Sequence, residues 1–589
     1  MTDRPFLLSA TVDFPDDLEL GVYTPALIDQ AMATLRATGV RRVNWLDYGS
    51  AIDSTSPLYN PILERRAFGP ASLAALGEPL PVAVAAAHRH GLELIAVMKP
   101  YAGASIITWP EGSPDGGRPG LRRIGGTLHD AFGYLERNPG LAIERRGDSK
   151  AAPVPPATIA AIRLTKSDAS PTRVDRDHLE IWTSPGNWQY RRRDIPFTVR
   201  DEVRPAPADV CDYFGHLVTR AGDPVRSLTL ILGAPLDEPY VLVTTTFLDG
   251  AGDFTTTASA MVEALDRDDR PIPLVVATRS ATADATRDFR TAGLEFDCGY
   301  GPFLTALDVD NAAASASWDT PQGGCIAFAT GRNDVLAGAP CESLPEVQEA
   351  WQAWLRWIID AGVDGVDFRI SAHGTHTDQA PEYGFNEEVL AGLRRQGRVE
   401  TLDEIRRERG NRYTQFLVRA RDMLRGSNRS LAVHLHTEAF RPDPVHGELM
   451  GFPANIDFQF VRWLADGLVD HATLRTSWYE SLGPTNNDDL PALLADPVVA
   501  SIIEQAKDRG VPLYLNRYAM QGNTARSGER LERYLDELEY ASLDARLDGF
   551  DLYEWSVLAR PSADGSRIEP IGDFLPKLSE RARRLGIGA

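Results

Sequence analysis

The sequence predicts an α/β fold: a (β/α)8 TIM barrel carrying an inserted β-sandwich-like domain. Three observations lead there. A unit of helix, glycine and short apolar strand with a polar end recurs in the first and last parts of the chain, and strands alternating with helices build parallel sheets. Between them lies a stretch of short strands separated by Pro, Asp and Gly, the pattern of an antiparallel sandwich. The 589 residues also exceed the ~250 that one barrel typically uses.

The first helix is read over residues 26–38 and stopped by Gly39, because a glycine after a helix supplies the left-handed cap. The segment 40–49 follows as strand and loop, carrying Asp47 and Tyr48 at its end. A helix over 81–90, stopped by Gly91, leads into strand 92–98 and Lys99. Residues 112–156 are rich in Gly and Pro and read as loop. From about 158 the chain turns β-rich. The expected division is barrel over 1–150, inserted β-rich domain over 151–240, and the rest of the barrel over 241–589.

The helical unit returns at 347–361, stopped by Gly362. Strand 363–370 then carries Asp367 and Arg369, and strand 430–438 carries His434, His436 and Glu438. Further strands are read at 456–461, at 511–517 ending in Arg517, and at 549–555 with Glu554 and Trp555. Helices fit between them at 387–396, 402–424 and 491–509. Segments 6–12 and 240–246 both look like strands, one more than a barrel needs. The preferred count takes 43–47, 92–98 and 240–246 as strands 1 to 3. The other count starts at 6–12. Both make the Asp367 segment strand 4 and the Glu438 segment strand 5.

Composition narrows the function. Lys and Arg number 61 against 83 Asp and Glu, a formal charge of −22. That argues against nucleic acid, whose binding rests on cationic contacts to phosphate, and against anionic membrane surfaces. It fits a solvated cytoplasmic enzyme with a neutral substrate; a homo-oligomer is compatible with it. The start of the chain shows no basic n-region and no long apolar run, so no signal peptide is expected. Cys211, Cys298, Cys325 and Cys341 form no CxxC pair and match no zinc spacing; reduced thiols, no metal and no cofactor are expected.

Barrel enzymes place their chemistry at the carboxyl ends of the strands. Side chains alternate along a strand, so Asp367 shares a face with Arg369, and His434 and His436 share one with Glu438. Two acids on adjacent strand ends are what a glycosidase needs, one as carboxylate and one as proton donor. Asp367 is the expected nucleophile, held ionised by Arg369, and Glu438 the acid/base; Glu554 is the alternative acid. Asp47, Tyr48, Lys99, Arg369, His373, His434, His436, Arg517 and Trp555 are the expected substrate-binding residues. Trp45, Tyr101, Tyr383 and Tyr518 join Tyr48 and Trp555 as aromatics for sugar stacking. Two rival readings stand beside this one: a metal-dependent hydrolase or lyase using His434, His436 and Glu438, and a non-catalytic sugar-binding barrel.

The segment Gly362-Val-Asp-Gly-Val-Asp367-Phe-Arg369-Ile, followed by His434-Leu-His436-Thr-Glu438, resembles the glycosyl-hydrolase-like (β/α)8 barrel proteins of bacteria. Arg42-Val-Asn-Trp-Leu-Asp47-Tyr48-Gly49 and Lys99-Pro100-Tyr101 fit the same picture, and the resemblance covers the barrel segments. It implies a glycoside hydrolase acting on a carbohydrate. An Asp on strand 4 and a Glu on strand 5 is similar in position to the α-amylase clan. That clan has an Arg two residues before its Asp, where this sequence has Gly365. Retention of anomeric configuration is the expected outcome, with the two carboxyl groups about 5–5.5 Å apart rather than ~6.5–9.5 Å.

Overall fold

The computed structural model describes residues 5–46, 63–102, 138–146, 158–245, 261–272, 325–328, 339–370, 383–441, 453–475, 490–519 and 528–588, less short stretches within them. Eight parallel strands close into a barrel: β1 (Leu7–Asp13), β2 (Arg42–Leu46), β3 (Glu93–Met98), β4 (Gly365–Arg369), β5 (Ser430–His436), β6 (His471–Arg475), β7 (Leu513–Tyr518) and β8 (Gly549–Tyr553). They neighbour one another in chain order, and β1 pairs with β8 to close the ring.

The helices lie where the spacing puts them. Pro25–Ala37, Pro79–Arg89 and Pro345–Asp360 each precede a strand. Gly39, Gly91 and Gly362 after them have φ of 103°, 66° and 90°, conformations that L side chains rarely adopt. The predicted helix over 491–509 is two helices, Leu490–Ala495 and Pro497–Asp508. Among the described residues no single helix is long and apolar enough to cross a membrane.

Two strand assignments need correction. The barrel begins with Leu7–Asp13, and Tyr240–Thr245 pairs antiparallel with Leu179–Ser184 outside the barrel. The preferred count is therefore wrong and the other one right. The sixth strand is His471–Arg475, while the apolar segment at 456–461 leads into the helix Phe460–Ala465. Phe458, Phe460 and Trp463 are buried there against other core residues.

Of the remaining described strands, Ala559–Pro561 and Ile568–Pro570 pair with each other after β8, and Val210–Cys211 pairs with Leu217–Thr219; the others lie between β3 and β4 in the sequence and form two antiparallel sheets. One sheet orders Met261–Leu265, Ile159–Thr165, Pro224–Leu236 and Phe197–Pro205. The other orders Cys325–Phe328, Tyr240–Thr245, Leu179–Ser184 and Arg191–Arg193. Ile162, Leu164 and Leu230 of the first sheet bury with Ile181 and Val243 of the second in one apolar cluster.

Alternation along the barrel strands sorts the side chains. On β1, Leu8, Ala10 and Val12 belong to the apolar core, whereas Ser9, Thr11 and Asp13 are buried polar groups. Most TIM barrels fill their interior with branched apolar residues; this one is largely polar, with Ile95 and Val97 of β3 among the apolar exceptions. At the amino ends of the strands, Arg42 binds Glu93 at 2.7 Å and lies over the Tyr514 ring. Midway, Asp551 accepts from Ser9 Oγ (2.8 Å), Thr11 Oγ1 (2.9 Å), Asn44 Nδ2 (2.8 Å) and Asn516 Nδ2 (2.5 Å), so one carboxylate ties β8 to β1, β2 and β7. The carboxyl ends carry the densest polar set.

Candidate active site

On one wall, β4 and β5 run in register with Arg369 opposite His434. Asp367, two residues earlier on the same face, reaches its neighbour strand: Asp367 Oδ2 lies 3.1 Å from His434 Nδ1. Arg369 Nη2 lies 3.4 Å from the same nitrogen, and its guanidinium sits 5.1 Å from the centre of the Tyr553 ring. All three side chains are within 2% of full burial. Burial, followed by the charges of Arg369 and Arg475, drives the His434 pKa well below its usual value. Its neutral ring uses this one nitrogen either to donate to the Asp367 carboxylate or to accept from Arg369 N–H, the tautomer deciding which. Burial pushes the Asp367 carboxyl up to about 7, with Arg369 pulling the other way and Asp551 adding to the rise. Arg369 thus acts on Asp367 in the expected direction, but desolvation is the larger influence.

The opposite wall is acidic. Asp13 closes β1, and the turn after it brings Asp16 and Asp17; Glu554 follows β8. Asp13, Asp16 and Glu554 place one carboxylate oxygen each within 4.8 Å of the others. Lys99, just past β3, reaches across to Asp13 Oδ2 at 3.6 Å and supplies a counter-charge. Tyr553 OH donates to the same oxygen at 3.3 Å. Burial lowers the Lys99 ammonium to about 8 despite the pull of Asp13. Burial, then the Asp13 charge, raises Glu554 to about 7, while Ser556 Oγ holds its Oε1 at 2.8 Å. Asp17 is fully buried, and neither of its oxygens has a partner among the described residues. Burial followed by the Glu554 charge keeps its pKa well raised.

Between the walls stands Arg475, at the end of β6, 4.6 Å from the Tyr553 ring centre and 5.0 Å from that of Tyr518. Contacts run from Glu554 and Asp13 through Tyr553 and Arg369 to His434 and Asp367, so the groups form one continuous mouth. Among the described residues His434 and His436 join no trio of donors at metal spacing.

The expected residues divide. Asp367, Lys99, Arg369, His434, His436 and Glu554 are buried at strand ends. Asp47, Tyr48 and His373 lie outside the described residues. Glu438 falls in the short helix Thr437–Phe440 directly after β5; its side chain is outside the described part, and so is its distance to Asp367. Arg517 faces the other way: its Nε and Nη2 hold Glu537 of helix Gly528–Leu543 at 2.9 and 3.0 Å, an ion pair between strand and helix rather than a substrate contact. Trp555 is 1% exposed and packs in the apolar core, as do Trp45, Tyr101 and Tyr383. Asp13, Asp16, Asp17, Arg475 and Tyr553 are the polar groups missed. Asp13-Phe-Pro-Asp16-Asp17 at the end of a candidate strand was a signal available in the sequence.

No family model matches this chain. No curated protein matches it significantly either. Among solved structures, the GH18 chitinase ChiB of Flavobacterium johnsoniae is 16% identical, with 42% of this chain and 69% of that one covered, at a TM-score of 0.23. The beta-amylase catalytic domain of Paenibacillus polymyxa is 9% identical over 98% of this chain and 99% of that one, at 0.35. The beta-galactosidase of the psychrophilic Marinomonas ef1 is 9% identical over 99% of this chain and 60% of that one, at 0.39. At such scores they say nothing of the chemistry at this mouth.

Proposed function

We propose that the chain is a glycoside hydrolase working with Asp367 and Glu554 from opposite walls of the barrel mouth. One observation carries the reading. Each of these buried carboxyls has one oxygen held, by His434 and by Ser556, while Asp367 Oδ1 and Glu554 Oε2 have no partner among the described residues. A buried polar atom left open is costly unless a ligand meets it. Both groups also titrate near neutrality, where a side chain can give and take protons efficiently.

Glu554, beside the Asp13 charge, is the proton donor to the departing oxygen. Asp367, backed by neutral His434, takes the proton from the attacking water. β4 and β8 stand half the ring apart, which leaves space for that water and makes inversion the expected stereochemistry. The Asp367–Glu438 pair of neighbouring strand ends is the retaining alternative. Proton NMR of the first-formed product anomer separates the two; a retained product rejects the Asp367–Glu554 assignment. Glu554→Gln should lose far less activity on a dinitrophenyl glycoside, whose leaving group needs no proton, than on an alkyl glycoside. Asp367→Asn should lose equally on both. Equal losses for Glu554→Gln on the two substrates would remove it as the acid.

A further inference from the structure

Arg369 is a buried guanidinium that pairs with no acid among the described residues. Two other buried arginines show what this chain normally does with one. Arg409 holds Glu342 through Nε and Nη2 at 2.7 and 2.9 Å, and Arg517 holds Glu537 in the same forked way at 2.9 and 3.0 Å. Arg369 is 0% exposed, yet its contacts are a 3.4 Å approach to the His434 ring and the face of Tyr553. Its Nε and Nη1 have no partner among the described residues. The nearest acid on its own strand, Asp367, turns to His434 instead.

Arg369 does not stand alone. Arg475 lies against the same Tyr553 ring, and the two guanidiniums share it at 5.1 and 4.6 Å. Two like charges converging on one ring in a dry place raise the local potential. A planar, always-charged guanidinium with open donors is the side chain suited to carboxylate or phosphate oxygens. The chain's formal charge of −22 favoured a neutral substrate, but at this spot two guanidiniums stand side by side.

We propose that the sugar bound at the mouth carries an anionic oxyacid group, a carboxylate or a phosphate, which Arg369 grips beside Asp367. This rests on the glycosidase reading for the sugar, and on Arg369 for the charge. The anion would meet the open guanidinium donors, while the ring hydroxyls face the Asp367 and Glu554 oxygens.

The test is calorimetric binding of D-glucuronate, D-glucose 6-phosphate and D-glucose to the full chain at low salt, with no turnover required. At least tenfold tighter binding of one anionic sugar than of glucose is expected, and the tighter of the two identifies carboxylate or phosphate as the source. Arg369→Gln should erase that preference, and Arg369→Lys should keep part of it through charge alone. Equal affinities for all three sugars, or a preference that survives Arg369→Gln, would overturn the proposal. Should Arg369→Gln not fold, competition decides in the native protein: inorganic phosphate or acetate should weaken binding of the anionic sugar and leave that of D-glucose unchanged, and a preference that neither anion reduces overturns it. Anion preference without any hydrolase activity would reject the glycosidase and leave the anion site standing. Hydrolysis of neutral glycosides with no anion preference would do the reverse.

Discussion

Replacing Asp367 by Asn should stabilise the protein at alkaline pH while removing its activity. The carboxyl is 2% exposed and titrates at about 7 in the fold, against an ordinary value of 3.8. The sign follows from proton counting: between these two pH values the folded state holds a proton that the unfolded state has released, so stability falls as pH rises. Every tenfold difference in proton affinity between the two states corresponds to ~1.4 kcal/mol. The rise from 3.8 to about 7 therefore amounts to roughly 4 kcal/mol, all of it lost above pH 7. Asparagine keeps the shape and cannot ionise. Urea unfolding of both proteins at about pH 3 and about pH 8 should show near-equal stability at the lower pH, which lies below both values. At the higher pH the variant should gain on the order of 4 kcal/mol at most. Taking the difference between the two proteins cancels every other titrating group. A difference that does not change with pH, or one that favours the native protein at pH 8, would refute the claim that Asp367 is a buried, destabilised acid. Turnover should fall by about 10²–10⁴, the usual share of one general acid or base.

Three further outcomes follow from the packing. Asp551→Ala strands four donors from three neighbouring strands in a dry interior, at a cost on the order of 5 kcal/mol; Asp551→Asn should cost about half, and equal denaturant midpoints for the two would contradict the hub. Gly365→Ala puts a methyl 2.0 Å from Ser430 Oγ and 2.9 Å from Ile95 Cδ1, so a loss of ~1–3 kcal/mol is expected, and a midpoint unchanged from the native protein would show that β3, β4 and β5 can part freely. Arg517→Ala breaks a buried ion pair and should destabilise by roughly 3–5 kcal/mol with KM unaltered; a raised KM at unchanged stability would restore it to the substrate site.

The barrel was legible wherever helix, glycine and strand came in order, because Gly39, Gly91 and Gly362 each sit at positive φ, where glycine is nearly obligatory. The sixth strand escaped because His471-Ala-Thr-Leu-Arg475 looks half polar. On this strand the inward face is polar, so alternation between an apolar outside and a polar inside replaced the continuous apolar run expected of a parallel strand. The apolar segment at 456–461 drew attention away from it. Arg475 was lost with its strand, and Asp13, Asp16 and Asp17 were lost with the first one. Asp367, Arg369, His434 and His436 were legible because charges at the end of a buried strand are rare without a purpose. Their partners were not: alternation puts Asp367 and Arg369 on one face, but only the packed structure shows the carboxyl turning to His434 and the guanidinium to Tyr553.

The pairing of β1 with β8 has a consequence for how the molecule is made. Residue 13 leaves the ribosome 536 positions before residue 549, the first of β8. At about 5–20 residues per second, this strand waits roughly half a minute to two minutes with one edge unpaired. Throughout that interval Asp13 has no Tyr553 or Glu554 beside it, and Asp551 has not yet arrived to meet Ser9, Thr11 and Asn44. Ring closure and assembly of the acidic wall are therefore one late event. A nascent chain halted before β8 would expose a half-paired parallel sheet and lack Glu554, and open sheet edges of that kind invite pairing with other chains.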